Sequence, residues 1–219
     1  MDIPNKFDLT QKENLFLAKK NLVDYIWKSA NLEGINITFP DTYTIVEKLS
    51  MQNADIADVN TILNLKHAWQ EVFKTYNEEL TLEYILKIHK EVSKDEALTW
   101  GELRTGKVGI SGTDYIPKIP NEKLVKNSLR KFNEIECDTE RILKLMLWMM
   151  KSQLFWDGNK RTSMIIANKE LIKHGRGIVS IAIKDINEFN RLLSGYYSYD
   201  KDKELLEFLY NKCLQGIEY

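Results

Sequence analysis

Residues 153–162, which read QLFWDGNKRT, place an acid, a glycine, an amide and two cations directly before a helix-forming run at 164–173. The first turn of a helix carries unpaired backbone N–H groups and the positive end of the helix dipole, so it attracts phosphate. Gly158 lets the backbone approach a ligand closely, and Asn159 supplies amide donors. This pattern predicts an anion site, and a nucleotide is the ligand that we expect there.

The charged side chains of this stretch support the same interpretation. Lys160 and Arg161 supply charge-assisted donors, and Asp157 is a hard oxygen ligand suited to the Mg²⁺ that accompanies nucleotide phosphates. The alternative is an ordinary polar turn between two helices, with solvated basic residues. The flanking segments 145–150 and 164–166 are strongly apolar. They favour a turn held between two buried helices, which is a suitable place for a preorganised site.

The composition limits the classes of partner. The 219 residues suit a single domain over positions 1–219, and 31 Lys and Arg against 32 Asp and Glu predict no nucleic-acid partner. No segment reaches the roughly 20 apolar residues that cross a bilayer, and the N-terminus lacks the apolar core of a signal peptide. Two cysteines far apart in sequence are expected as free thiols. We therefore expect a soluble, cytoplasmic protein without membrane contact, and homo-oligomerisation remains open.

Helical periodicity dominates the chain, which predicts an all-α fold. A capping box of Thr10 and Glu13 opens the first predicted helix, which continues to about residue 30. Asp41, Asp58 and Thr81 are the predicted caps of the next three helices. Further helices are predicted at about 122–135, 139–154, 164–174, 186–193 and 203–214.

The segment 103–117 breaks the helical pattern, because it alternates and is rich in Gly, Thr and Val. It predicts one small β-hairpin that turns at about 111–113. Such a hairpin either covers the core or offers an exposed edge that accepts a peptide by strand addition.

The turn at 153–161 resembles the signature of the Fic (filamentation induced by cAMP) family, H-P-F-x-[DE]-G-N-[GK]-R. The matching residues are Phe155, Asp157, Gly158, Asn159, Lys160 and Arg161. Gln153 stands where the family has its histidine. The segment 103–112 is similar to the family's flap through Leu103, Arg104, Thr105, Val108, Ile110 and Gly112. The resemblance implies a mostly helical Fic-like fold with a β-hairpin flap.

A third resemblance lies upstream, where residues 29–34 fit the family's inhibitory motif [ST]-x-x-x-E-[GN]. A carboxylate in the last turn of a helix opposes the dipole unless a cation meets it, and a solvated Glu33 is the plain alternative. The resemblance implies an inhibitory helix segment at about 10–34, in which Ser29 and Glu33 regulate the site. The family's arginine partner falls at Met164, so Glu33 is left to meet Lys160 or nothing.

The resemblance implies transfer of AMP, or another nucleotide-derived phosphate group, from ATP to a protein hydroxyl. It implies that Asp157 holds Mg²⁺, that Gly158 and Asn159 cradle the phosphates beside Lys160, and that Arg161 neutralises the leaving diphosphate. The flap residues that would register the target protein are Val108, Ile110 and Gly112.

Gln153 at the position of the family histidine is the main departure. A glutamine amide has no useful pKa, and loss of a general base costs about 10²–10⁴ in rate. His67 and His89 are expected at the surface or core edge and His174 at a helix end, so none obviously replaces the base. Two functions therefore stay open: a slow transferase, and a degenerate Fic domain that binds a nucleotide or a target as a regulatory protein.

Overall fold

The computed structural model describes residues 3–48 and 55–217. Within them the chain forms ten α-helices, so the predicted all-α class is confirmed. They are α1 (Gln11–Lys20), α2 (Leu22–Leu32), α3 (Phe39–Tyr43), α4 (Ile56–Thr75), α5 (Leu82–Val92), α6 (Glu122–Phe132), α7 (Asp138–Ser152), α8 (Asn159–His174), α9 (Ile186–Tyr199) and α10 (Lys203–Phe208). Short π-helical turns at Thr44–Lys48 and Leu209–Cys213 extend α3 and α10, and a 3-10 turn at Ile183–Asp185 precedes α9.

The helix starts follow their capping residues, with two differences from the sequence prediction. The capping box of Thr10 and the cap at Thr81 are both present. Asp55 rather than Asp58 caps α4, and Thr38 rather than Asp41 caps α3. Leu49, which we also expect within that short helix, lies outside the described residues.

The predicted single helix up to residue 30 is divided at Asn21. The Asn21 side chain donates a hydrogen bond to the Leu17 carbonyl at 3.1 Å, which ends α1, and α2 begins at the next residue. Asparagine side chains compete with the helix backbone in this way. The inhibitory segment predicted at 10–34 is therefore a pair of helices, and only α2 carries its motif.

Helix α8 is the centre of the fold. It is buried along almost its whole length and packs against α1, α4, α5 and α7. A helix that is buried on all sides needs apolar neighbours all round, which explains the apolar sequences on both sides of the turn. The turn that precedes α8 is therefore held from several directions.

The small antiparallel sheet lies elsewhere than the sequence predicts. In the described chain the paired strands are β1 (Ile178–Val179) and β2 (Leu214–Gln215), with Ile178 opposite Gln215. The segment 103–117 contains a turn at 111–112 but no strand, so the prediction of a hydrogen-bonded β-hairpin there is wrong. The physical reason is that its two arms bind the Arg104 side chain instead of each other. We call residues 103–117 the flap segment.

Two expectations about the whole chain can be compared with the structure. Cys137 and Cys213 are both free, as expected. Among the described residues, no helix combines the length and the apolar character that are needed to cross a bilayer.

Candidate functional site

The turn between α7 and α8 is defined by two residues with left-handed backbone. Gln153 ends α7 with φ 46°, and Gly158 precedes α8 with φ 71°. A Cβ at position 158 would lie 2.0 Å from the Ser93 hydroxyl at the end of α5. Glycine is therefore required at 158 both for its conformation and for its close approach to α5.

Asn159 builds the turn with its side chain. Its Oδ1 accepts from the Phe155 N–H at 3.0 Å, and its Nδ2 donates to the Phe155 carbonyl at 2.9 Å. The same Nδ2 donates to the Gln153 side-chain oxygen at 3.1 Å. The Asn159 amide is therefore fully bonded within the turn, and the predicted contact of Asn159 with phosphates stays a prediction.

Gln153 is held at both ends of its amide. Besides the bond from Asn159, its Nε2 donates to the Met150 carbonyl at 2.7 Å. The side chain is half-buried at the end of α7. An amide offers no proton acceptor near neutral pH. Gln153 therefore helps to shape the turn but supplies no general base.

His89 is a residue that the sequence interpretation misplaced. It is fully buried and stacks on Phe155 with ring centroids 3.6 Å apart. Its Nδ1 accepts from the Gly101 N–H at 3.0 Å, and its Nε2 donates to the Asp157 carbonyl at 3.1 Å. Burial lowers the pKa of His89 to about 4, so the imidazole is neutral near pH 7.

The expected surface or core-edge position of His89 is therefore wrong. A usable signal was present, because His89 follows Leu82 by seven residues and Ile85 by four, which places it on the apolar face of α5. Its two nitrogens are satisfied by backbone groups, so it supports the turn and does not replace the missing base.

Arg161 points into the protein and binds an acid that the sequence did not indicate. Its Nη1 donates to the Glu96 carboxylate at 2.6 Å and to the Val92 carbonyl at 3.2 Å, and the side chain is only 5% exposed. Glu96 also accepts from the Asn64 amide at 2.7 Å. The other terminal nitrogen of Arg161 lies 3.9 Å from the Asp157 carboxylate, toward the outer side of the turn.

Asp157 and the start of α8 form the open side of the turn. The Asp157 side chain is 62% exposed, and its Oδ1 accepts from the Gly158 N–H at 2.6 Å. No side chain in the described part of the chain caps α8. The described residues also contain no group of three or more His, Cys, Asp or Glu that would hold a metal ion alone. One exposed carboxylate nevertheless fits Mg²⁺, which commonly binds one or two carboxylates and takes its other ligands from phosphates and water.

Glu33 lies beside the first turn of α8. Its carboxylate is 3.4 Å from the Lys160 ammonium, which also donates to the Leu32 carbonyl at 3.3 Å. Of the two outcomes left open for Glu33, the structure shows the pairing with Lys160. Ser29 contributes its backbone carbonyl to the end of α2, where it accepts from the Glu33 N–H at 3.3 Å.

The flap segment lies against the turn. A Cβ at Gly106 would be 2.4 Å from the Trp156 ring, and the Arg104 N–H donates to the Leu154 carbonyl at 3.0 Å. Exposure alternates from residue 105 to residue 110, as in a strand, with Val108 and Ile110 half-buried. Gly112 is exposed at the tip with φ 79°. The structure therefore brings residues 104–106 of the flap segment against the turn, and Val108, Ile110 and Gly112 follow on the same arm.

An apolar cleft adjoins the outgoing arm of the flap segment. Its volume is about 360 Å³, and its lining includes Ile116, Ile119, Leu124 and Trp148. The first three side chains are between 44% and 66% exposed. The cleft reaches residues 152 and 154, on either side of Gln153.

Curated relatives share the sequence at low identity. A protein adenylyltransferase Fic from Nematostella vectensis is 26% identical over 189 residues, which cover 80% of this chain and 43% of the relative. The protein of the same name from Aedes aegypti is 26% identical over 172 residues, covering 72% of this chain and 33% of the relative. The chain thus spans less than half the length of these relatives.

Solved structures share the fold. Fic-1 from C. elegans has a TM-score of 0.77 at 17% identity, with 89% of this chain and 61% of that chain covered. A Fic domain-containing signaling protein from Bacteroides thetaiotaomicron has a TM-score of 0.74 at 17% identity, covering 93% of this chain and 81% of that chain.

A family model matches the part of the chain that holds the site. Residues 79–171 match the model of the Fic/DOC family, and this range contains His89, the flap segment, the turn and most of α8. Together with the relatives and the shared fold, this match supports a Fic/DOC family protein.

Proposed function

We propose that this chain transfers AMP, or another nucleotide-derived phosphate group, from ATP to a hydroxyl of a target protein, at a rate lowered by Gln153. The observation that carries the proposal is the uncapped start of α8 beside the exposed Asp157, with the flap segment against the same turn. The names of the curated relatives support this reaction.

Different residues of the turn would bind different parts of the nucleotide and its metal ion. The nucleotide phosphates would lie at the backbone N–H groups of the first turn of α8, which follows Gly158, with the Lys160 ammonium beside them. Asp157 would hold Mg²⁺, which neutralises charge on the phosphates during the transfer. Arg161 would neutralise the leaving diphosphate through the nitrogen near Asp157, while its other terminal nitrogen stays on Glu96.

The chemical step would proceed without a histidine. The target hydroxyl oxygen attacks the α-phosphorus, the bond from that phosphorus to the bridging oxygen breaks, and diphosphate leaves with the electron pair. The hydroxyl proton goes to solvent, because the Gln153 amide does not accept it. Phosphoryl-type transfer depends mainly on positioning and charge stabilisation, so slow turnover is compatible with this loss. A missing base lowers the rate by about 10²–10⁴.

The target protein would bind the flap segment in an extended conformation. Within the described residues 105–116, the only backbone–backbone hydrogen bond runs from the Thr113 N–H to the Ile110 carbonyl, at the turn. The backbone groups of Val108 and the N–H of Ile110 are therefore available for strand addition on the arm that leads to the tip at Gly112. The adjoining apolar cleft would accept a target side chain.

The end of α2 would regulate the same site. Glu33 pairs with Lys160, a cation that we assign to the phosphates, so a bound nucleotide competes with this ion pair. Ser29 and the rest of the motif hold Glu33 at the helix end.

The second candidate is a regulatory protein that binds a nucleotide or a target without turnover. The observation in its favour is that the side chains of Gln153, Asn159 and Arg161 are already bonded within the protein. Such a site needs no proton acceptor.

Transfer of label from ATP to protein distinguishes the two candidates. The chain, Gln153→His, and Gln153→His with Glu33→Gly are incubated with cell lysate, Mg²⁺ and ATP labelled at the α-phosphate. Labelled protein that requires the chain supports the transferase, and Gln153→Asn serves as the matched control without a base. A Gln153→His variant that is folded and binds ATP by calorimetry but labels nothing supports the regulatory protein. No binding at millimolar ATP in Glu33→Gly contradicts the transferase and the nucleotide-binding form of the regulatory protein.

A further inference from the structure

Arg104 is a buried cation that no carboxylate of the described residues neutralises. Its side chain is 1% exposed, and burial lowers the pKa of its guanidinium. The partners are four backbone carbonyls, those of Gln153, Gly106, Pro117 and Lys118. A buried charge is stable only when its donors are satisfied, so these bonds constrain each carbonyl that they reach.

The four carbonyls belong to three separate stretches of chain. The Nε of Arg104 reaches Gln153 at the end of α7, and Nη1 reaches Gly106 on the incoming arm of the flap segment. Nη2 reaches Pro117 at the end of the outgoing arm, and Lys118 next to it at 2.7 Å. Because the guanidinium fork is planar and rigid, its N–H donors can hold the carbonyls of all three stretches in a fixed relative orientation.

The Arg104 fork replaces the missing strand pairing. The arms of the flap segment make no ladder with each other, so Arg104 connects them and binds both to the turn. The backbone N–H of Arg104 adds a bond to the Leu154 carbonyl, next to Gln153. One residue thus joins the surface assigned to the target with the turn assigned to the nucleotide.

We propose that Arg104 is a positioning residue that makes the flap segment and the turn one mechanical unit, so that the target hydroxyl and the nucleotide phosphates are placed together. The inference rests on the proposed function for its catalytic consequence, but the mechanical coupling exists without any ligand.

Hydrogen exchange of the protein alone tests the coupling. In Arg104→Met we expect amide exchange to accelerate about tenfold or more in both the flap segment and residues 153–158, because bonds to a charged donor are lost. Exchange in α4 should stay unchanged. Arg130→Met, which removes an exposed arginine of α6, is the matched control and should change neither segment. Acceleration in the flap segment alone would overturn the coupling.

Arg104→Lys keeps the positive charge but removes the guanidinium. It tests the coupling of the flap segment to the turn if Arg104→Met does not fold. One ammonium cannot hold carbonyls of all three stretches at once, so we expect faster exchange in both segments here as well. Unchanged exchange in both segments would show that the fork is not needed, and would overturn the proposal.

The catalytic consequence is measured in the Gln153→His background with α-labelled ATP and lysate. We expect Arg104→Lys to lower protein labelling about 100-fold, the typical cost of a misplaced reactant. The Kd for ATP should change less than about threefold, since the fork does not touch α8. Equal losses in labelling and ATP binding would contradict a positioning role. If the background variant labels nothing, the proposed function fails, while the exchange result still decides the coupling.

Discussion

The inner and outer faces of the turn before α8 differ in what their side chains bind. On the inner face, Asn159 and Arg161 are at most 7% exposed, and they bind backbone groups and Glu96 at hydrogen-bond distance. On the outer face, Asp157 is 62% and Lys160 is 27% exposed, and their nearest oppositely charged atoms are 3.9 and 3.4 Å away. Asn159 and Arg161 therefore build the turn, whereas Asp157 and Lys160 are exposed on the side where a ligand would bind.

The energetic consequence follows from burial. Removing one partner of a buried ion pair leaves an uncompensated charge, which is strongly destabilising. A partly exposed pair is screened by water and salt, and contributes little to stability. Substitutions on the inner face should therefore affect folding, and substitutions on the outer face should affect binding. The following tests address this contrast, from the largest expected effect to the smallest.

Arg161→Met should destabilise the protein most, by roughly 3–5 kcal/mol, because Glu96, whose side chain is only 14% exposed, is left without its cation. Urea denaturation measures the free energy of unfolding. Arg191→Met, which removes an exposed arginine of α9, is the matched control and should change stability by less than about 0.5 kcal/mol. A loss below about 1 kcal/mol for Arg161→Met would remove the distinction between the two faces.

His89 should make stability depend on pH between about 4 and 6.5. The pKa of His89 is about 4 in the folded chain, below the ordinary value of 6.5, because burial disfavours the charged form. The unfolded chain binds more protons in this window, so stability is complete above pH 6.5 and falls on acidification, by on the order of 3 kcal/mol.

The comparison with His89→Gln isolates this contribution, because other groups also titrate in the same range. Urea denaturation at pH 7 and pH 4.5 should show a smaller loss in the variant than in the unaltered chain. An equal loss in both proteins would mean that His89 is not held neutral against the turn.

Gln153→His should raise transfer from ATP by on the order of 10²-fold, because it restores a proton acceptor at the end of α7. Its effect on stability should be small, since Gln153 is only half-buried and the Asn159 amide keeps its bonds to Phe155. Label incorporation at a fixed ATP concentration measures the gain. Brisk labelling by the unaltered chain would instead show that transfer needs no conventional base.

Glu33→Gln should have the smallest effect on folding, about 0.2–1 kcal/mol, because the pair with Lys160 is partly exposed. The same change should tighten ATP binding by up to about fivefold, since Lys160 becomes available to the phosphates. Calorimetry at low and high salt measures both the gain in ATP affinity and the extent to which salt reduces it. Glu134→Gln, an exposed glutamate after α6, is the control. Unchanged ATP affinity in Glu33→Gln would contradict regulation by α2.

The sequence predicted the features that depend on short stretches of chain. Helical periodicity gave the all-α class, and the caps at Thr10 and Thr81 were correct because capping involves residues only three positions apart. Asp157, Gly158 and Lys160 were recognisable because the turn and the helix start are contiguous. The absence of a proton acceptor at Gln153 also needed no structure, since it follows from the side chain alone.

Tertiary structure decided the partners, because they are distant in sequence and their positions depend on packing. Glu96 meets Arg161 across 65 residues, His89 meets Asp157 across 68, and Arg104 meets Gln153 across 49. The flap segment shows the same dependence on tertiary contacts. Its alternating pattern was visible in the sequence, but the buried Arg104 guanidinium binds the carbonyls of Gly106 and Pro117, one on each arm, in place of a hairpin ladder. The sequence therefore determined the chemistry available at the turn, whereas folding around α8 decided which of those groups remain free for a ligand.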